Sequence, residues 1–477
     1  MPKRDRSKPP KTLKKRKQVT EAEPQQETPS LEYEDPYEDE YSSEADAIYH
    51  SGSSVGEAEE WEEFQNLKLE PTPDGNVQLV HDPNYHHLEE PQESDPKDVW
   101  KGDPRQIKKG EFLDFENEAY EYFYRTSVEW PCLSLDYLLG DTSGPPYTVN
   151  IVSGSQAGDN KNKVYVMKWS ELYKTQEDDK SESSSDESQE GGDEPKLDYA
   201  EFPHQGVVNR IRAFQEQNIV ATWSDRGTVC IYSLSSVLES LSSSQGIIRC
   251  KQPQSNFFEF GQEGYGLEWG YQGRLYAGAE SIYQLDPNGS GWAHTKTFAG
   301  HKGPVEDIQK SPAEEFVFAS CSVDGTIKIW DTRVESQDSQ ITINAHNTDV
   351  NVISWNKNET SQIASGSDDS TFKIWDLRFT QQQAACIKWH SDSITSICWN
   401  PFEASEIAVA SADDTLTVWD LSVEAEGEVE PGYPPQLLFV HHGQEDIKEI
   451  SYHSQMQFIL STASNSFNLF KPSINLQ

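Results

Sequence analysis

The stretch EWPCLSLDYL (Glu129–Leu138) sets Leu133, Leu135 and Tyr137 against Cys132, Ser134 and Asp136. That period of two predicts a β-strand. Just before it, DFENEAYEYFYRT (114–126) places Tyr120, Phe123 and Tyr124, and then Val128, at steps of three and four. This spacing predicts a short amphipathic helix with acids on its other face, ended by Pro131. Further on the pattern repeats. GHKGPVEDIQKSPAEEFVFASCSVDGTIKIWD, AHNTDVNVISWNKNETSQIASGSDDSTFKIWD and WHSDSITSICWNPFEASEIAVASADDTLTVWD align without gaps. His301 and Trp330, His346 and Trp375, and His390 and Trp419 are each 29 residues apart, and the Trp-Asp pairs recur after 45 and 44 residues.

A histidine-to-Trp-Asp unit with a period of ~40–45 residues is the WD-repeat signature, four strands to a propeller blade. Weaker copies fill the remaining length. His204 opens one, with Tyr232 in the tryptophan position; residues 263–286 read as a shortened blade; a last copy ends at Phe470; and residues 147–169 supply strands before an acidic insert. The expected fold is an all-β, seven-bladed propeller over residues 130–477, interrupted by an insert at 175–201. Residues 101–129 are expected to carry the helix, packed on the ring. The small-residue runs ASCSV and ASGSD are assigned to the innermost strands near the crowded axis. Asp324-Gly325 and Asp369-Ser370 supply hairpin turns.

Charge changes the picture at the N-terminus. The 477 residues carry a formal charge of −42, unevenly placed. Residues 1–20 hold nine Lys/Arg against one Asp, residues 21–100 hold 24 acids against two Lys, and the insert holds eleven acids against two Lys. LEYEDPYEDEYSSEAD (31–46) alone has eight carboxylates and no basic residue. Like-charge blocks with few aliphatic residues stay solvated, so 21–100 is expected to be a disordered acidic tract and 1–20 a basic tail. Lys14, Lys15, Arg16 and Lys17 fit a nuclear import signal; a solvated tail, or one folded onto the acidic tract, is the alternative. An acidic body argues against strong direct nucleic-acid binding, which needs Lys and Arg at the phosphates. The expected partner is basic. Ser183 and Ser184 each have an acid three residues on, a pattern for acid-directed phosphorylation.

The six cysteines include no C-x-x-C pair, so zinc and redox motifs fail and the residues read as small hydrophobes in a reducing compartment. No apolar run reaches the ~18 residues of a membrane span, and the charged N-terminus carries no secretory signal. His301, Ser322 and Asp324 resemble a catalytic triad in type. The same trio recurs as His346, Ser367 and Asp369 and as His390, Ser411 and Asp413, each followed by its tryptophan. A catalytic set has no reason to appear three times around a ring, whereas a buried hydrogen-bond chain in each blade does. No phosphate loop, H-E-x-x-H or G-x-S-x-G is present. The expectation is a non-enzyme with no cofactor or metal.

VEWPCLSLDYL, FPHQGVVNRIRA after the acidic insert, EGYGLEW and the tandem Trp-Asp blades together resemble the glutamate-rich WD-repeat proteins. These are ribosome-assembly chaperones related to the histone-binding chromatin-assembly WD proteins. The resemblance covers residues 95–477. It implies a monomeric propeller in the nucleus and nucleolus, with a cytoplasmic pool, acting on pre-ribosomal particles. It also implies a basic cargo, newly made large-subunit ribosomal protein three. The acidic tracts, with Glu38, Asp39, Glu40, Asp186 and Glu187, are expected to shield that cargo. Asp225, Glu268, Asp349, Asp368 and Asp392, which flank tight turns or follow a blade histidine, are expected to grip it at the ring. Two other functions stay open. Core histones are also basic. W-D-x-R at Trp330–Arg333 and Trp375–Arg378 matches substrate receptors of cullin-type ubiquitin ligases.

Overall fold

A computed structural model describes residues 67–71, 77–81, 119–158, 161–175, 194–243, 246–289, 291–424 and 434–474. The chain divides into two units, residues 1–99 and 100–477. In the first unit the described part is one antiparallel hairpin, Leu67–Pro71 with Val77–His81, in which Leu69 faces Leu79. Composition gives no sign of this hairpin within the acidic tract. Lys14–Lys17, Glu38–Glu40, Asp186 and Glu187 lie outside the described residues.

The second unit is a ring of seven sheets. Strands a to d of each blade run from the central channel outward. Blade one is Cys132–Leu138, Tyr147–Ser155, Lys163–Leu172 and Lys196–Pro203. Blade two is Val208–Phe214, Ile219–Ser224, Thr228–Ser233 and Ser255–Glu259. Blade three is Gly266–Trp269, Leu275–Gly278, Ile282–Asn288 and Gly291–Phe298. It is a full blade, because residues 291–298 supply the outer strand that the shortened reading left out. Blades four and five begin at Val305 and Val350, and blade six runs from Ile394 to His441. Between strands c and d of blade two, helix α1 (Ser235–Ser243) buries Val237 and Leu241. Strand Ile247–Arg249 then joins blade one as a fifth, parallel strand.

Blade seven closes the ring with strands from both ends of the chain. Glu449–Tyr452, Ile459–Thr462 and Ser466–Pro472 are completed by Tyr120–Ser127, with Tyr124 opposite Leu469. The helix expected over 114–126 is therefore a strand from Tyr120 onward; residues 114–118 lie outside the described part. Tyr120 and Tyr122 are buried, Tyr120 against Phe439 and Phe470 and Tyr122 against Phe458. Aromatic residues at every second position suit a pleated surface, and the open edge of blade seven outweighs the local helical spacing.

ASCSV and ASGSD also sit elsewhere than expected. They lie in strand b, second from the channel, where both faces are covered by neighbouring blades. Small residues there let the next blade approach. A Cβ on Gly366 would come 2.4 Å from the Ile394 side chain, and one on Gly154 would come 2.3 Å from Val208.

Candidate partner-binding site

The a strands leave one edge facing the channel, and their side chains satisfy it from blade to blade. The Ile211 N–H donates to Ser134 Oγ (3.0 Å), Ala213 N–H to Asp136 (2.8 Å) and Ile353 N–H to Asp307 (3.2 Å). Ile450 N–H donates to Ser396 Oγ (3.1 Å), and Leu135 N–H to Glu449 (2.8 Å) closes the circle. Buried polar groups need such partners.

Two arginines bolt the channel across its middle. Arg210 donates to Glu449 at 2.6 Å, to the Tyr265 carbonyl at 2.9 Å and to the Glu306 carbonyl at 3.1 Å. Arg212 donates to Glu449 at 2.7 Å, and Ser134 Oγ donates to the same carboxylate at 2.6 Å. Burial disfavours the Glu449 anion, but the two guanidiniums outweigh it and hold the carboxyl down at about 2. Blades seven, one, two and four are thus joined through one carboxylate and one guanidinium.

The bolt separates two mouths. At the upper end, where the a strands begin, Glu306, Asp349 and Asp368 meet. The Asp368 N–H donates to the Asp349 carbonyl at 3.2 Å, and Asn351 reaches the Asp368 carboxylate at 3.0 Å. Burial raises the Glu306 carboxyl to about 7; Arg210 opposes the rise while Asp349, Asp307 and Asp368 add to it. Asp349 is raised too, by burial and then by Asp368. Asp225 and Asp392 stand on the same end, at turns: Asp225 accepts from the Val207 N–H (2.8 Å) and Asp392 from the Ser393 N–H (2.7 Å). Glu268 stands apart from them. It is a strand a residue of blade three, inside the channel below the bolt.

The lower end receives both chain segments that carry acidic tracts. Strand c of blade one ends at Leu172 ahead of the insert, whose residues 176–193 lie outside the described part. The Thr175 N–H donates to the Glu121 carbonyl at 2.9 Å, and Tyr124 OH donates to the Tyr173 carbonyl. Lys471 holds the Glu121 carboxylate at 3.0 Å. The root of the insert and the entering N-terminal strand are side by side.

The repeated His, Ser and Asp residues form chains within blades. Trp330 Nε1–H donates to Ser320 Oγ (2.8 Å), Ser320 to His301 Nε2 (2.7 Å), and His301 Nδ1–H to Asp324 (3.1 Å). Trp375, Ser365, His346 and Asp369 repeat it. The tautomer follows from the partners. Burial lowers His301, its bond to Asp324 opposing, so the ring is neutral, while Asp324 is pushed down by its donors His301 and Thr326 against the effect of burial. The serine in the chain is Ser320, not Ser322, and Ser365, not Ser367. Ser322 donates instead to the Gly303 carbonyl (3.1 Å) and Ser367 to that of Asp349 (2.7 Å). Ser411 likewise donates to the Asp392 carbonyl (3.0 Å). In blade six Val409 occupies the serine position, and Thr417 on strand c takes its part between Trp419 (2.7 Å) and His390 (3.0 Å), with Asp413 at 3.1 Å. No hydroxyl in these chains is free to act as a nucleophile beside a base. Arg333 and Arg378 are each folded onto their own blade, forked on Asp331 and Asp376 at 2.6 and 2.9 Å.

Sequence reasoning missed Arg210, Arg212, Glu449 and Glu306. One signal was available: RIR within a predicted strand puts charge at every second position, on one face. The partner Glu449 lies 239 residues away from Arg210 and carries no such mark.

Comparison with known proteins fits this architecture. The WD domain, G-beta repeat family matches residues 292–331, 337–376 and 381–420. A family described as histone-binding protein RBBP4, or its counterpart in the CAF1 complex, matches residues 110–173. The chain is 40% identical over 415 residues to glutamate-rich WD repeat-containing protein 1 of Dictyostelium discoideum, covering 80% of this chain and 86% of the relative. It is 34% identical over 477 residues to ribosome assembly protein rrb1 of Schizosaccharomyces pombe, covering 92% of each. The chain belongs to the glutamate-rich WD-repeat family. Another relative, protein HEAT STRESS TOLERANT DWD 1 of Arabidopsis thaliana, is 38% identical over 430 residues, 79% of this chain and 92% of the relative.

Proposed function

We propose that this protein takes part in ribosome assembly as a non-enzymatic escort of a basic ribosomal protein, with newly made large-subunit ribosomal protein three as the cargo. The carrying observation is the upper mouth, where Glu306, Asp349 and Asp368 crowd together and Arg210 is the cation that opposes the rise of Glu306. Cationic side chains of a partner would relieve that crowding, and a negative mouth on a protein of net charge −42 speeds encounter with basic partners. The acidic tracts add a weaker, salt-screened attraction, which lets the cargo pass on to rRNA. The name of the fission yeast relative supports the ribosomal setting. In this reading the protein is a monomer without cofactor, works in the nucleus and nucleolus with a cytoplasmic pool, and visits pre-ribosomal particles.

The test is co-purification of the tagged full chain in ~0.3 M salt, where nonspecific charge pairing is screened, with mass spectrometry of what remains bound. One dominant ribosomal protein supports the escort. Core histones in its place would favour the second reading, a histone chaperone, whose own support is the match over residues 110–173.

A further inference from the structure

We propose that the chamber below the arginine bolt is a socket for a single arginine or lysine side chain of a basic partner, with Glu268 as its counter-ion. The inference deepens the escort reading and rests on it for the partner's basic character. The chamber holds about 570 Å³ and is walled by Tyr137, Trp269, Trp355, Trp399 and Tyr452. Its indole N–H groups are spent on backbone carbonyls: Trp269 on Arg212 (2.9 Å), Trp355 on Thr360 (2.8 Å) and Trp399 on Ser354 (3.1 Å). The rings therefore meet the chamber as apolar surface, which suits a guanidinium or the stem of a lysine.

Glu268 is the exception among the channel carboxylates. Asp136 and Asp307 are capped by neighbouring N–H groups, and Glu449 by two arginines. Among the described residues Glu268, with its side chain 15% exposed, meets only the Lys310 ammonium at 3.9 Å, beyond hydrogen-bond range. Lys310 is itself 41% exposed, on a stem free to swing aside. Burial lifts the Glu268 carboxyl to about 7; Lys310 and Arg212 oppose this, and Asp136 and Asp307 reinforce it. Lys357 from blade five also lines the chamber, and Glu449 from blade seven faces it already paired. A buried carboxylate without a hydrogen-bond donor is costly. A guanidinium supplies two donors and a charge in one group.

The full chain would be titrated with acetyl-Gly-Arg-Gly-amide, with the same peptide carrying neutral citrulline, and with inorganic phosphate, following tryptophan fluorescence. The expected result is saturable binding of the arginine peptide, at least tenfold weaker binding of citrulline, and no response to phosphate. Glu268→Gln should weaken the arginine peptide about tenfold, and Ser451→Phe, which fills the chamber from blade seven, should abolish binding. Asp349→Asn, at the upper mouth, should leave it unchanged. Affinity should rise from pH 6 to pH 8 as Glu268 ionises, since Asp136, Asp307 and Glu449 are already engaged. Equal binding of citrulline, an unaffected Glu268→Gln, or saturation by phosphate on Lys310 and Lys357 would overturn the socket. Cargo binding that ignores Glu268→Gln, with no response to the arginine peptide, removes the socket and leaves the escort standing. Peptide binding without cargo binding removes the escort and leaves the socket.

Discussion

Blades four to six settle their polar groups inside each blade, whereas blades seven, one and two settle theirs across the channel. In the first set an indole, a hydroxyl, a neutral imidazole and a carboxylate are linked from Trp330 to Asp324, and again from Trp375 to Asp369 and from Trp419 to Asp413. In the second set, the place of Trp330 is taken by Tyr232 in blade two and Phe470 in blade seven, and Phe470 stacks on His441 at 4.3 Å. Rigidity comes there from Arg210, Arg212 and Glu449. The difference teaches that a repeat loses its signature where long-range charge pairing replaces local hydrogen bonding. It also leaves the channel charged, which is where the candidate partner sites are.

The largest expected effect breaks the cross-channel side of this comparison. Glu449→Gln leaves two buried guanidiniums without their anion and should cost about 3–5 kcal/mol, read as a fall in unfolding midpoint. The pH dependence has a definite sign. Glu449 sits at about 2 in the folded protein and near the ordinary ~4.3 when unfolded, so its stabilisation is present above the higher value. It is lost as pH falls from about 4 toward 2, and acid titration of the variant should lack that component.

Smaller effects sharpen the within-blade side. Ser320→Ala strands the Trp330 N–H and should cost about 1–3 kcal/mol in chemical denaturation, while Ser322→Ala should cost about 1 or less. The reverse order would restore Ser322 to the chain. Thr417→Val should cost about as much as Ser320→Ala, because Val409 offers Trp419 no oxygen. Smallest of all, Arg333→Ala and Arg378→Ala should leave the melting temperature unchanged, since both forks are solvent-exposed. In the same variants, loss of binding to a ligase adaptor would support the ubiquitin-ligase alternative; unchanged binding would remove it.

These contrasts also explain what can be read from the chain. The 29-residue step from His301 to Trp330 is local and occurs three times, so it declares blades, fold and a structural role for the histidines. Spacing alone favours Ser322 over Ser320, because Ser322 stands beside Asp324 in sequence. The strand places Ser320 one pair from Trp330, which faces Phe318. Tyr120–Ser127 reads as helix because its pairing partner lies some 345 residues downstream. Among the acids, Asp349 and Asp368 are legible from the turns they flank, while Glu306 joins them only through the meeting of blades four and five.

The central claim is that the carboxylates of the upper mouth hold the cargo. Calorimetric titration of large-subunit ribosomal protein three in ~0.3 M salt, into the wild type and into Glu306→Gln/Asp349→Asn/Asp368→Asn, tests it most directly. A loss of tenfold or more in the triple variant, with an unchanged melting temperature, is the predicted result. Equal affinity in the two proteins, with binding abolished instead by deleting residues 21–100 and 176–193, would contradict it and assign the grip to the acidic tracts.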